Sequence, residues 1–351
     1  MINCTEPNCQ RCYEKGLYGP DEPAISSHLL KFAAVYCYLV FLLGTTCNGV
    51  TLWCIATCTK TRPAVKVLLC SVFVPIMVIC LVVQPCLAEM LLALLTCDDL
   101  RAPWPFKVAV TLFYSTLAQM ELVCIATISV LRVAAVWSSH RHSVGLRAAV
   151  GIVVTIIVYS VLITPSLLGS LLLLNLKSRL VKRAISFLYF FLNTMVPVLV
   201  TISCYVVMMI AVRRNRLRLA DSHSESRDSV VDQATRAMMA VFVNNLLLGF
   251  PHSVYHLLED PPRTAAVGFH ILFYTHFVVD PVVFVWFNRN YRKRVSERVS
   301  MGLRWMTRCC SSSPLTTTAS TFTLHVSSSS TPSTHQKSSV SSEVVSENMK
   351  Q

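Results

Sequence analysis

Long apolar stretches separated by short polar ones run along the chain, at 32–58, 65–95, 106–137, 148–174, 184–212, 234–258 and 264–287. Crossing roughly 30 Å of hydrocarbon takes about 20 mainly apolar residues of helix, and every stretch meets that length. Lipid offers the backbone no water to bond, so only helices and closed barrels span it, and runs this long and continuous predict helices. The pattern therefore predicts an all-α integral membrane protein built as a seven-transmembrane helix bundle. Pro75, Pro85, Pro165, Pro197, Pro251 and Pro281 fall inside the runs. Each removes a backbone donor and predicts a kink.

The basic residues set an orientation. They collect after the first run (Lys60, Arg62, Lys66), after the third (Arg141, Arg147), after the fifth (Arg213, Arg214, Arg216, Arg218) and after the seventh (Arg289, Arg292, Lys293, Arg294). By the excess of Lys and Arg in cytoplasmic loops, those four segments face the cytoplasm and the N-terminus lies outside the cell. The sequon Asn3-Cys4-Thr5 agrees, with Asn3 the glycosylation candidate. No cleavable leader is visible, so the first helix is expected to act as the signal anchor of a multi-pass plasma-membrane protein.

Past the seventh run, 288–305 has charged and apolar residues at helical spacing, with Met301, Leu303 and Trp305 available to rest on the membrane surface. Cys309 and Cys310 follow as palmitoylation candidates. The Ser/Thr-rich tail beyond them has almost no bulky core residues and is expected to be disordered and phosphorylatable. The expected divisions are an extracellular segment at 1–31, the bundle at 32–287, an amphipathic juxtamembrane helix with its Cys pair at 288–310, and a cytoplasmic tail at 311–351.

Composition narrows the function. The chain is 54% hydrophobic and 14% charged, with a mean hydropathy of +0.55, so lipid is its main solvent. The formal charge of +13 sits mostly beside apolar runs, where it reads as a topology signal and not as a nucleic-acid surface. Most of the 15 cysteines lie inside apolar segments, where Cys packs as a small hydrophobe. Cys4, Cys9, Cys12 and Cys97 instead fall in polar segments expected outside the cell, and Cys97 is expected to pair with one of the other three. No nucleophile motif, metal-ligand cluster or Gly-rich phosphate loop appears, so neither an enzyme nor a resident cofactor is expected. His140 and His142 flank Arg141 in a short turn and read as solvated basic residues. No internal repeat of the transporter kind is visible.

Degraded motifs in a fixed order carry a resemblance. They are Gly44 to Val50 with Asn48 in the first run, Leu131-Arg132-Val133 at the end of the third, and Pro197 with Tyr205 two turns on in the fifth. Gly249-Phe250-Pro251 stands in the sixth and Asp280-Pro281-Val282-Val283-Phe284 in the seventh, followed by Phe287-Asn288-Arg289-Asn290-Tyr291-Arg292. Together they resemble the rhodopsin-like (class A) G-protein-coupled receptors, as a divergent member, over about residues 32–305. The resemblance implies a receptor that passes an extracellular ligand signal to a heterotrimeric G protein, with arrestin and receptor kinases as further partners and membrane lipid around it. It implies coupling roles for Arg132, Tyr205 and Phe284, and places Pro197, Pro251 and Pro281 at the family's helix prolines.

The departures carry expectations of their own. Leu131 replaces the acid that restrains the helix-three arginine in the family, which suggests basal activity. The family's helix-two aspartate is missing, while Glu121 and Asp280 are acids at membrane depth, at positions that in the family surround a sodium pocket. Intramembrane carboxyls need pairing, protonation or hydration, so a rewired polar core of Asn48, Glu121, Asn245 and Asp280 is expected, holding Na+ or a shared proton. The alternative is protonated carboxyls merely bonded between helices. Tyr114 stands where amine receptors carry an aspartate, and Tyr274 where a retinal-binding lysine would be needed, so a monoamine receptor and a light pigment are both disfavoured. Lys177, Arg179, Lys182 and Arg183 would place a positive field at the outer mouth, suggesting an anionic ligand, against solvated loop charges as the other reading. The family's disulfide between helix three and the second outer loop is absent. A second class of function stays open: a seven-helix protein that does not signal, acting as scavenger, chaperone or scaffold.

Overall fold

In a computed structural model the described residues are 25–59, 61–98, 100–137, 144–173, 178–219, 228–258 and 262–311. Among them seven helices are long and apolar enough to cross a membrane. They are α1 (Ser27–Thr57), α2 (Pro63–Thr96), α3 (Trp104–Trp137), α4 (Leu146–Leu173), α5 (Arg179–Phe190 through Val196–Leu219), α6 (Asp228–Tyr255) and α7 (Arg263–Phe287), with an eighth, α8 (Arg289–Ser311), beyond them. Contacts divide the chain into Met1–Gly302 and Leu303–Gln351; of the second unit only the final turns of α8 are described. Leu42, Leu162, Leu199, Leu247 and Trp286 are exposed on the outside of the bundle, where soluble proteins would carry charge. The protein is a multi-pass membrane protein.

Helix ends depart from the sequence reading in α5 and α6. α5 begins at Arg179, so Arg179, Lys182 and Arg183 occupy exposed first turns of a helix and not a loop. Ser178 caps it, its hydroxyl accepting the Val181 N–H at 3.4 Å. At the other end α5 continues through Arg213 to Leu219, and α6 starts at Asp228, ahead of its apolar run. A helix nucleated in lipid keeps propagating into water through Arg and Leu, both good helix formers, until the backbone gains nothing more.

The prolines stay within continuous helix. Single π-turns at Ile79–Val83 in α2 and Phe191–Met195 in α5 come just before Pro85 and Pro197, taking up the register change that a missing donor demands. In α7 the repair comes from another helix. Pro281 has no N–H for the Phe277 carbonyl, and Asn48 of α1 supplies one, its Nδ2 donating to Phe277 O at 2.9 Å and to Gly44 O at 2.8 Å. Thr51 Oγ1 donates to the Pro281 carbonyl at 3.3 Å. Close approach of α1 and α2 needs Gly44, where a Cβ would lie 2.5 Å from Cys80 Sγ.

α8 is anchored by local chemistry. Asn288 Oδ1 accepts the N–H of Asn290 at 3.2 Å and of Tyr291 at 3.3 Å, an N-cap. The buried Tyr291 ring packs on Phe284 at 5.6 Å, which packs on Phe73 at 4.8 Å. Arg294 donates to Thr57 Oγ1 at 3.0 Å, and Arg298 lies 5.7 Å over the Trp53 ring, holding α8 along the end of α1. Met301 is exposed; the side chains of Leu303 and Trp305 lie outside the described residues.

Candidate functional site

α3, α5, α6 and α7, with contributions from α2 and α4, enclose a cavity of about 470 Å³ in the half of the bundle away from α8. Tyr114 of α3 is central to its wall. Its ring meets Phe273 and Tyr274 of α7 edge-on, each at 6.1 Å. Four buried polar atoms on the lining have no hydrogen-bond partner: Tyr114 Oη, Gln119 Nε2, Asn193 Oδ1 and His276 Nε2. Unpaired polar atoms in a dry wall cost about 1–3 kcal/mol each, so they mark places where a ligand group or water would be gained. No Lys or Arg is among the described lining residues. Arg179 is exposed on the first turn of α5 and does not line the cavity, and Lys177 lies outside the described residues.

The cavity floor is a buried polar knot. Asn245 of α6 bridges two acids, one amide proton going to Glu121 Oε1 and the other to Asp280 Oδ2, each at 2.9 Å. Asn244 Nδ2 donates to Asp280 Oδ1. His276 of α7 sets Nε2 3.5 Å from Glu121 Oε2, within ion-pair range but outside hydrogen-bond geometry, while its Nδ1 faces the Phe273 carbonyl. Glu121, His276 and Asp280 are each at most 2% exposed. Two carboxyls this close are stable only with a proton or positive charge among them, and His276 is the side chain placed to carry it. One ligand atom from each of the three lies within 4.8 Å of the others.

The knot differs from the predicted polar core. Glu121, Asn245 and Asp280 meet, but Asn48 is spent on backbone carbonyls and touches none of the three acids and amides. Asn244 and His276, passed over in the sequence, take its place. The signal available for Asn244 was polarity beside Asn245, and for His276 a polar residue one helical turn before Asp280.

Toward the α8 end, the buried Tyr205 of α5 packs on Phe242 of α6 at 5.6 Å and lies within electrostatic range of the half-buried Arg132 of α3. Phe284 sits in the Phe73–Tyr291 stack described above, away from that pair. Cys97 closes α2 in left-handed backbone, φ 53°, and is disulfide-bonded to a partner outside the described residues. Asn3, Cys4, Cys9 and Cys12 also lie outside them, as do the side chains of Cys309 and Cys310.

No protein-family profile matches the sequence, and no curated protein matches it. Among solved structures the chain is similar to squid rhodopsin, with a TM-score of 0.65 at 14% identity over 84% of this chain and 93% of that one. At that identity the likeness is one of fold. The protein has the seven-helix fold of squid rhodopsin.

Proposed function

We propose that the chain is a plasma-membrane receptor, its N-terminus extracellular, that couples a ligand in the cavity to a cytoplasmic heterotrimeric G protein. The observation that carries this reading is the cavity floor: Glu121, Asn245, His276 and Asp280 join α3, α6 and α7 directly beneath the space a ligand would fill. A ligand that favours one arrangement of that knot shifts the packing of all three helices, and α3 carries Arg132 at its other end. An aromatic wall with a few unpaired polar atoms and no Lys or Arg suits a neutral, largely apolar molecule with a hydrogen-bonding end. The knot holds a shared proton or Na+, with His276 as the competing positive charge. Arrestin and receptor kinases would act on the Ser/Thr-rich tail, with Cys309 and Cys310 as lipid anchors and Asn3 glycosylated. The disulfide partner of Cys97 is one of Cys4, Cys9 and Cys12, tying the N-terminal segment near the cavity.

A second reading is a seven-helix scavenger or scaffold that does not signal. Leu131 beside Arg132 and Gly249 before Pro251, where the resembling family carries an acid and an aromatic, favour it. G-protein activation in cells separates the two. Full-length chain without ligand should signal above an equally expressed seven-helix control, and Arg132→Ala should abolish the excess. Silence there and across panels of neutral lipophilic ligands would transfer the assignment to the non-signalling class.

A further inference from the structure

Three imidazoles meet at the open end of the cavity, apart from the buried knot. His252 stands in the last turn of α6, and His256 follows just past its end, its N–H bonded to the His252 carbonyl at 3.4 Å. His270 reaches them from α7. One ring nitrogen of each lies within 4.8 Å of the other two. Nε2 of His252 and Nε2 of His256 are 3.1 Å apart. Zn–N bonds of about 2.0–2.1 Å in a tetrahedron put neighbouring ligand nitrogens roughly 3.3 Å apart, so that pair is already at ligand spacing.

The rings are also oriented from behind. His270 Nδ1 is 2.7 Å from the Ala266 carbonyl oxygen, which can only accept, so the proton sits on Nδ1 and Nε2 presents its lone pair. A carbonyl bonded to one ring nitrogen is the outer-shell contact that ligating histidines use to fix tautomer and tilt. His252 lies flat on the Phe273 ring, centroids 4.5 Å apart at 26°, which fixes its plane. Its Nε2 and that of His256 share one proton; if that proton moves to Nδ1 of the same ring, both lone pairs turn inward without net loss of a proton. No Lys or Arg among the described lining residues opposes a cation. Imidazole donors select zinc, copper and nickel over magnesium and calcium, which prefer oxygen.

We infer that His252, His256 and His270 form a divalent transition-metal site of the zinc class at the mouth of the cavity, with a fourth position open to water or to a donor atom on a cavity ligand. Such an ion bridges the ends of α6 and α7. Its binding does not depend on whether the chain signals.

The test uses full-length protein in lipid nanodiscs and Zn2+ alone, titrated against a chromophoric chelator. His252→Ala and His270→Ala should each weaken binding by at least about tenfold, the lower bound seen for mere outer-shell changes, and His28→Ala should leave it unchanged. Parent-level binding in both variants overturns the site and assigns the metal to other groups. A measurement on the unaltered chain guards against variants that fail to fold: modification of histidines by diethyl pyrocarbonate, read peptide by peptide. Zn2+ should protect the exposed His256 and leave His28 reactive. Equal labelling of His256 with and without saturating Zn2+ overturns the site as well.

Discussion

Asn48 is the residue on which the junction of α1 and α7 can be tested most sharply. Asn48→Ala removes two donated hydrogen bonds to backbone carbonyls, Gly44 O at 2.8 Å and Phe277 O at 2.9 Å, and a long one to Cys80 Sγ at 3.9 Å. The Gly44 carbonyl faces the Asn48 N–H through the ordinary helix ladder, so its loss is small. The Phe277 carbonyl is different, because residue 281 is a proline and offers no N–H. Interhelical hydrogen bonds in membrane proteins average about 0.6 kcal/mol and reach about 1.7. A buried carbonyl left unsatisfied costs about 1–3 kcal/mol, so Asn48→Ala should cost about 2. In a Pro281→Ala background the restored N–H bonds Phe277 O itself, and the cost of Asn48→Ala should fall by about 1 kcal/mol. That coupling exceeds the ~0.3–0.5 kcal/mol within which independent sites add. The assay is a double-mutant cycle on reversible unfolding in mixed detergent micelles. An equal cost of Asn48→Ala in both backgrounds would refute the assignment of Asn48 as the proline's substitute donor.

Two further perturbations probe other joints. Gly44→Ala drives a methyl group to within 2.5 Å of Cys80 Sγ and should destabilise by about 1–3 kcal/mol, with Cys80→Ala in the same chain recovering most of it; the same unfolding assay reads both. Asn288→Ala removes the cap of α8 at a cost of about 1 kcal/mol, visible as faster amide exchange over Asn290 and Tyr291, while Asn288→Asp, which keeps an acceptor oxygen, should retain most of the protection.

The bundle was legible because lipid imposes a length. Every apolar run became a helix, since a segment that long in hydrocarbon has no other way to satisfy its backbone. Ends were less legible, and α5 shows why. Hydropathy marks where the chain leaves lipid, whereas the helix begins where Ser178 can cap it, several polar residues earlier. The π-turns at Ile79–Val83 and Phe191–Met195 left no trace in the periodicity, because a one-residue slip in register changes which face is buried without changing how apolar the segment is.

The site was legible in its charges and opaque in its partners. A carboxyl at membrane depth announces itself, so Glu121 and Asp280 stood out, but their distance from Asn245 depends on how α3, α6 and α7 cross. His252 and His256 had a readable spacing, four apart on one helix face, yet two imidazoles become a candidate metal site only when α7 brings His270 beside them. Gly249 shows the same dependence in reverse. The resembling family carries an aromatic there, two residues before the helix-six proline, and its loss reads in the sequence as erosion. In the fold a Cβ at 249 would lie 3.2 Å from Phe273 Cε2, so the small residue is what admits a ring from α7 into that place. From α7 the Phe273 ring reaches His252 at 4.5 Å on one side and His276 at 4.4 Å on the other. One side chain thus stands between the histidines at the mouth of the cavity and the knot at its floor, meeting His276 within α7 and His252 across the interface with α6.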